Sequence, residues 1–218
     1  MTAYYPVMLN LEERTCVFVG GGEVTARKVQ SLLGTGARIT VISPQIHHKL
    51  AELIASGQIS AQRTAYAAGM LAAFKPFVVF AATDNEAVNQ QVVEEARSLG
   101  ALANAVSANG EHDFMSMAAI ERHSITIGIS SGGASPELAA HIRERVSDLI
   151  GAEYGTLSVW LGEARPIVQA AIDAQPQRAA LWRRIIESPI LERLKQGDTS
   201  AAREHFDTLI REALANQP

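Results

Sequence analysis

The stretch Phe18–Val29, FVGGGEVTARKV, sets three consecutive glycines between an apolar run and the start of a helical pattern. A chain gives up three side chains together where its backbone must turn tightly or must be approached closely. In the spacing G-x-G-x-x-G/A between a strand and a helix, the first glycine makes the turn and the second lets a pyrophosphate reach the backbone. The helix N-terminus then faces the phosphates. Gly20 and Gly22 take those two positions, while the third holds Thr25, larger than the usual residue at the helix-to-strand contact. A tight turn without a ligand would use the same glycines; the strand before them and the helix after them favour a dinucleotide.

Working outward, short β-rich runs alternate with helical ones: RTCVFVG, a helix over 23–34, RITVIS, a helix near 46–56, FVVFAA, a helix over 85–99, then LANAV. Continuous apolar strands separated by helices predict a mostly parallel sheet covered on both faces, an α/β domain of Rossmann type. Gly34 and Gly36 close the first helix before the second strand. After LANAV the rhythm changes. DFMSMAAI and SITIGIS read as a hairpin with Glu121, Arg122 and His123 between them. A helix follows, with Ser135 as its cap, Pro136 at its first position and Leu138, Ile142, Val146 and Leu149 as an apolar stripe. Beyond Gly151 the chain reads as helical, with breaks at Pro176, at Ser188 and Pro189, and at Gly197 and Asp198. Phe206, Leu209, Ile210 and Ala213 mark the core face of the last helix.

Ligands of such sheets bind beyond the carboxyl ends of the strands. The residues expected to hold the dinucleotide are therefore Gly20, Gly21, Gly22, Glu23 and Val24 at the glycine turn, Ser43 closing the second strand, Thr83 and Asp84 after FVVFAA, and Asn104 in LANAV. Asp84 has a competing role as a helix cap. No Asp or Glu ends the second strand to bind ribose hydroxyls.

The 218 residues carry a net charge of −4 and are 47% hydrophobic and 19% charged, the composition of a globular protein without a broad basic face for nucleic acid. No apolar run approaches the roughly 18 residues of a membrane span, and the N-terminus does not read as a signal peptide, so a cytoplasmic protein is expected. Cys16 is the single cysteine, inside an apolar strand, and reads as core.

Four stretches in order, YYPVMLNLEERTCVFVGGGEVTARKVQSLLGTGARITVISP, FAATDNEAVNQQV, LANAVS and ISSGGASPELAAHIRERV, resemble the precorrin-2 dehydrogenase and sirohydrochlorin ferrochelatase family, the N-terminal module of siroheme synthase. The likeness runs from Tyr4 to about Val146. It implies NAD-dependent oxidation of precorrin-2 to sirohydrochlorin, in some members followed by insertion of ferrous iron, and it implies a homodimer. The division expected is an NAD-binding domain over 1–113, a hairpin and helix dimerisation region over 114–150 and an all-helical domain over 151–218. Ser130, Ser131, Gly132 and Gly133 are the expected tetrapyrrole contacts, with Arg143 and Arg145 as further donors or as part of a solvated helix face.

One departure matters. The family usually carries an aspartate three residues after the position of Asn104, its favoured acid/base group; this chain has Ser107. A serine accepts no proton near neutral pH without a base beside it. Ser107, Glu111 and Asp113 are therefore the catalytic candidates, and ferrochelatase activity is in doubt. The alternative is a non-catalytic carrier of tetrapyrrole or metal on the same fold. A separate chelatase is a candidate partner. GEHD, residues 110–113, reads as a polar loop in preference to a metal site, and no metal is expected.

Overall fold

The structure, a computed structural model, describes residues 4–106 and 112–215. The chain divides into two compact units, Met1–Ser116 and Met117–Pro218.

In the first unit, β1 (Thr15–Val19), β2 (Arg38–Ile42), β3 (Ser60–Gln62), β4 (Val78–Ala81) and β5 (Leu102–Ala105) form one sheet in the order β3-β2-β1-β4-β5, every pair parallel. The helices α1 (Glu23–Leu32), α2 (His48–Ala55) and α3 (Glu86–Ser98) make the crossovers, with a 3₁₀ turn at Leu71–Phe74 before β4. Side chains alternate across each strand. Val17 and Val19 of β1 pack with Val79, Ala81 and Ala103 toward Val92, Val93 and Ala96 of α3. Cys16 and Phe18 pack with Val41 and Phe80 toward Ala26 and Val29 of α1 and Leu50 of α2. Phe18 and Phe80, opposite each other in the register, stack with ring centroids 4.4 Å apart. Both faces are thus covered, as the unbroken apolar strands require.

Two elements escape the sequence reading. β3 is three residues long, Ser-Ala-Gln at the sheet edge, with no apolar signal. Residues 63–70 are stitched to α3 by Glu95, whose carboxylate accepts from the Tyr66 hydroxyl, the Gly69 amide and the Leu71 amide.

In the second unit, β6 (Ala118–Arg122) and β7 (Ile125–Ile129) form the expected antiparallel hairpin with corrected bounds. Glu121 and Arg122 belong to the first strand, paired with Thr126 and Ile125, so the turn is His123–Ser124 and His123 has φ of 52°. Residues 113–117 are not strand. α4 (Pro136–Leu149) starts as expected, Ser135 accepting a hydrogen bond from the Leu138 amide at 3.1 Å. α5 (Ala152–Ala171), α6 (Gln175–Ile186), α7 (Ile190–Lys195) and α8 (Thr199–Ala215) enclose a core of Leu157, Trp160, Val168, Ile185, Phe206 and Leu209. α5 runs through Pro166 unbroken. The stripe of α4 faces out of the single chain: Leu138, Ile142 and Leu149 are 49%, 38% and 73% exposed.

Candidate functional site

Along β1, β2 and β3 the chain steps to one side; with β4 it returns to the other side of β1. This reversal opens a crevice beyond the carboxyl ends of β1 and β4, where open parallel sheets bind ligands. The three glycines stand there, and each has its own reason.

Gly20 has φ of +113°, and a β-carbon on it would lie 2.1 Å from the carbonyl oxygen of Ala82. A β-carbon on Gly21 would lie 2.2 Å from the Gln45 carbonyl oxygen and 2.9 Å from the Ser43 β-carbon. The protein's own packing demands these two glycines. Gly22 is different: its φ is −81°, which any residue adopts, and a β-carbon would meet nothing within 4 Å. Gly22 is also the N-cap of α1, where Ser, Thr, Asp or Asn would stabilise the helix, and no side chain caps it. Open space over uncapped amides at a helix start is a fit for a phosphate, whose oxygens complete the cap. Glu23 and Val24 form the exposed first turn beside it.

Thr25, the irregular third position, is fully buried, and its hydroxyl donates to the Gly20 carbonyl at 2.9 Å. The larger side chain is accommodated because its polar atom ties down the turn. Ser43 is buried at the end of β2 and donates to the Gln45 carbonyl at 2.7 Å, shaping the loop that presses on Gly21.

After β4, Thr83 donates to the Asn89 side-chain oxygen through both its amide and its hydroxyl, at 3.0 and 2.8 Å. The Asn89 amide group returns a bond to the Thr83 carbonyl at 2.9 Å. The cap of α3 is Asn85, accepting from Ala87 and Val88, so Asp84 is relieved of the capping role and stays exposed beside the crevice. Asn104, 7% exposed on β5, donates to the Phe114 carbonyl at 2.7 Å. The structure thus gathers Gly20, Gly21, Gly22, Ser43, Thr83, Asp84 and Asn104 at the carboxyl edge of one sheet. Asn85 and Asn89 went unread, although Asn89 shares the buried stripe of α3 with Val92, Val93 and Ala96, where a polar residue is itself a signal.

Ser107 and Glu111 lie outside the described residues. Asp113 is committed elsewhere: Arg97 donates to one carboxylate oxygen at 2.8 and 3.1 Å, and the Ala103 amide donates to the other at 2.9 Å. Burial alone raises the pKa of this carboxyl, but the bonds from Arg97 and Ala103 and the charges of Arg97 and His112 outweigh it and hold the group below its ordinary range. So low a group is a poor general base near neutral pH; the geometry makes Asp113 the anchor of the segment after β5. His112, within the stretch read as a polar loop, bridges to Asn104 and shares its Nε2 with the Tyr4 hydroxyl at 2.7 Å.

In the second unit, Gly132 and Gly133 adopt φ of 63° and 85° between β7 and α4. Ser131 donates to the Ser135 carbonyl and accepts from the Ser135 amide, and Ser130 accepts from the Gly132 amide. The two serines brace a glycine turn leading into a helix start.

A family model described as putative NAD(P)-binding matches residues 7–118, one described as sirohaem biosynthesis protein central matches 122–149, and one described as sirohaem synthase dimerisation region matches 153–210. The siroheme synthase of Chromobacterium violaceum is 33% identical over 207 residues, which cover 95% of this chain and 44% of that protein. That of Methylococcus capsulatus is 36% identical over 194 residues, covering 89% and 40%. The chain therefore spans less than half the length of these curated relatives. Among solved structures, "SirC, precorrin-2 dehydrogenase" matches with a TM-score of 0.78 at 26% identity, covering 96% of this chain and 100% of that one. With the NAD(P)-binding model over half of its length and the two sirohaem models following in order, the chain belongs to the precorrin-2 dehydrogenase and sirohydrochlorin ferrochelatase family, the N-terminal module of siroheme synthase.

Proposed function

We propose that this chain oxidises precorrin-2 to sirohydrochlorin with NAD as the acceptor, in the synthesis of siroheme. The observation that carries the reading is the likeness to a precorrin-2 dehydrogenase over the whole of that chain. The open position at Gly22 supports the cofactor half of it. When bound, the nicotinamide takes a hydride from the substrate; the chain supplies placement. The α1 N-terminus with Gly22, Glu23 and Val24 holds the pyrophosphate, and Ser43, Thr83, Asp84 and Asn104 line the crevice around it. Ser130, Ser131, Gly132 and Gly133 receive the tetrapyrrole.

Orientation of substrate against the nicotinamide can contribute roughly 7 kcal/mol or more to the rate, so hydride transfer survives the replacement of the family aspartate by Ser107. Metal insertion must remove two pyrrole protons and depends more directly on a base. The chain is accordingly a dehydrogenase whose chelatase activity is weak or absent, with Glu111 as the carboxylate to test and a separate chelatase as partner. The active form is a cytoplasmic homodimer whose interface takes in both 114–150 and the helices matched by the dimerisation model.

The test is anaerobic incubation of the protein with precorrin-2 and NAD, following NADH and sirohydrochlorin, then addition of ferrous iron. NADH and sirohydrochlorin without accelerated siroheme formation is the expected result. Tetrapyrrole binding without NADH would replace the enzyme by a carrier.

A further inference from the structure

Lys28 is a half-buried residue on α1 whose ammonium enters a cleft of about 430 Å³ at the carboxyl end of β5, lined also by Asn104, His112, Met115 and Ser116. Its Nζ donates to the Ser116 hydroxyl at 3.0 Å and stands 5.3 Å from the centroid of the Phe80 ring. Phe80 is itself packed on Phe18 and against the edge of Phe114, so the floor under the cation is apolar. Among the described residues no carboxylate pairs with Lys28. Burial, followed by repulsion from Arg27, lowers its pKa. A desolvated cation without a counter-ion is unfavourable, and one hydroxyl with one ring face offsets only part of that.

We infer that Lys28, braced by Ser116, is a carboxylate subsite for the tetrapyrrole, the incoming carboxylate supplying a counter-ion that none of the described residues provides. The inference rests on the dehydrogenase reading. The other anion within this unit's reach is the dinucleotide pyrophosphate, but Lys28 lies six residues along α1 from Gly22, about 9 Å along the axis. Its bond to Ser116 holds Nζ toward β5, across the sheet from the β2 side of the glycine turn. A lysine suits this place: a compact point charge on a flexible stem meets a mobile carboxylate without demanding bidentate geometry.

The experiment is titration of the purified full chain with sirohydrochlorin, followed by its absorbance, for the wild type, Lys28→Met, Lys28→Arg and Ser116→Ala, with NAD affinity measured in parallel by calorimetry. Removing a charge-assisted contact should weaken sirohydrochlorin binding about tenfold or more in Lys28→Met and a few-fold in Ser116→Ala. Lys28→Arg should recover most of it, and NAD affinity should stay at the wild-type value throughout. Wild-type sirohydrochlorin affinity in Lys28→Met would overturn the subsite and leave the dehydrogenase reading standing. Loss of NAD affinity with sirohydrochlorin affinity retained would assign the lysine to the phosphates instead. If Lys28→Met loses both affinities through misfolding, unchanged sirohydrochlorin binding in Ser116→Ala overturns the subsite and a few-fold loss supports it. A wild type that does not bind sirohydrochlorin would overturn the dehydrogenase reading and the subsite with it.

Discussion

Gly20 stands against Ala82: a β-carbon at Gly20 would lie 2.1 Å from the Ala82 carbonyl oxygen, so the turns after β1 and β4 touch through a position that only glycine fills. Gly20→Ala should therefore lose about 3 kcal/mol of stability, from left-handed strain together with the overlap. Gly22→Asp should behave in the opposite way. With φ of −81° and open space, aspartate at an N-cap is favoured, so the apo variant should melt at or slightly above the wild-type temperature. Its NAD affinity should fall at least tenfold, because the carboxylate occupies the pyrophosphate position and repels it. Thermal denaturation beside calorimetric titration separates the two effects, and unchanged NAD affinity in Gly22→Asp would remove the cofactor from this turn.

The Thr83–Asn89 knot predicts a second split. Asn89→Ala strips three hydrogen bonds from a residue 3% exposed and leaves the Thr83 amide unpaired, a loss of about 2 kcal/mol or more. Asp84→Asn removes an exposed charge that caps nothing, so its melting temperature should stay within a degree or two of wild type while its NAD affinity shifts. Both are read by the same pair of measurements.

Asp113 predicts a pH dependence. Its folded carboxyl lies below its ordinary value of 3.8, so the stability it contributes is complete above about pH 4 and fades as pH falls through the depressed value. Asp113→Asn should be about 1 kcal/mol less stable than wild type at pH 7, a modest figure because Arg97 is 39% exposed. Urea denaturation from pH 7 down to pH 2.5 should show the gap closing; a constant gap would mean the anchor works through shape alone.

The outward stripe of α4 predicts that a second copy covers it. Leu138→Lys with Leu149→Lys should shift the protein from dimer to monomer in sedimentation, with a small effect on the monomer's own stability because both side chains are already in water.

The sheet was legible because β1 and β4 are apolar on both faces, a pattern that a covered parallel sheet explains. β3 was not, because three residues at an edge, Ser60, Ala61 and Gln62, are too few and too polar to carry a periodicity. The hairpin was read with its turn too early, since Glu121 and Arg122 look like turn residues yet pair across the strands, and nothing in the sequence announces that His123 takes the left-handed conformation. In the site, the glycines were visible as a motif, but which of them the fold needs and which the ligand needs depends on what lies across from each α-carbon. Lys28 went unread because an isolated lysine on an amphipathic helix looks like surface until Phe80 and Ser116 are seen beneath it.

The bond from the Thr25 hydroxyl to the Gly20 carbonyl gives the irregular motif a thermodynamic meaning. Glycine turns are the segments with the most conformational freedom to surrender, on the order of 1–2 kcal/mol per residue when fixed. By fastening the turn from inside the core, Thr25 makes the fold itself absorb that entropy before any dinucleotide arrives. Association then needs no ordering of the loop, and the affinity available from a few amides and one helix terminus is spent on the ligand alone.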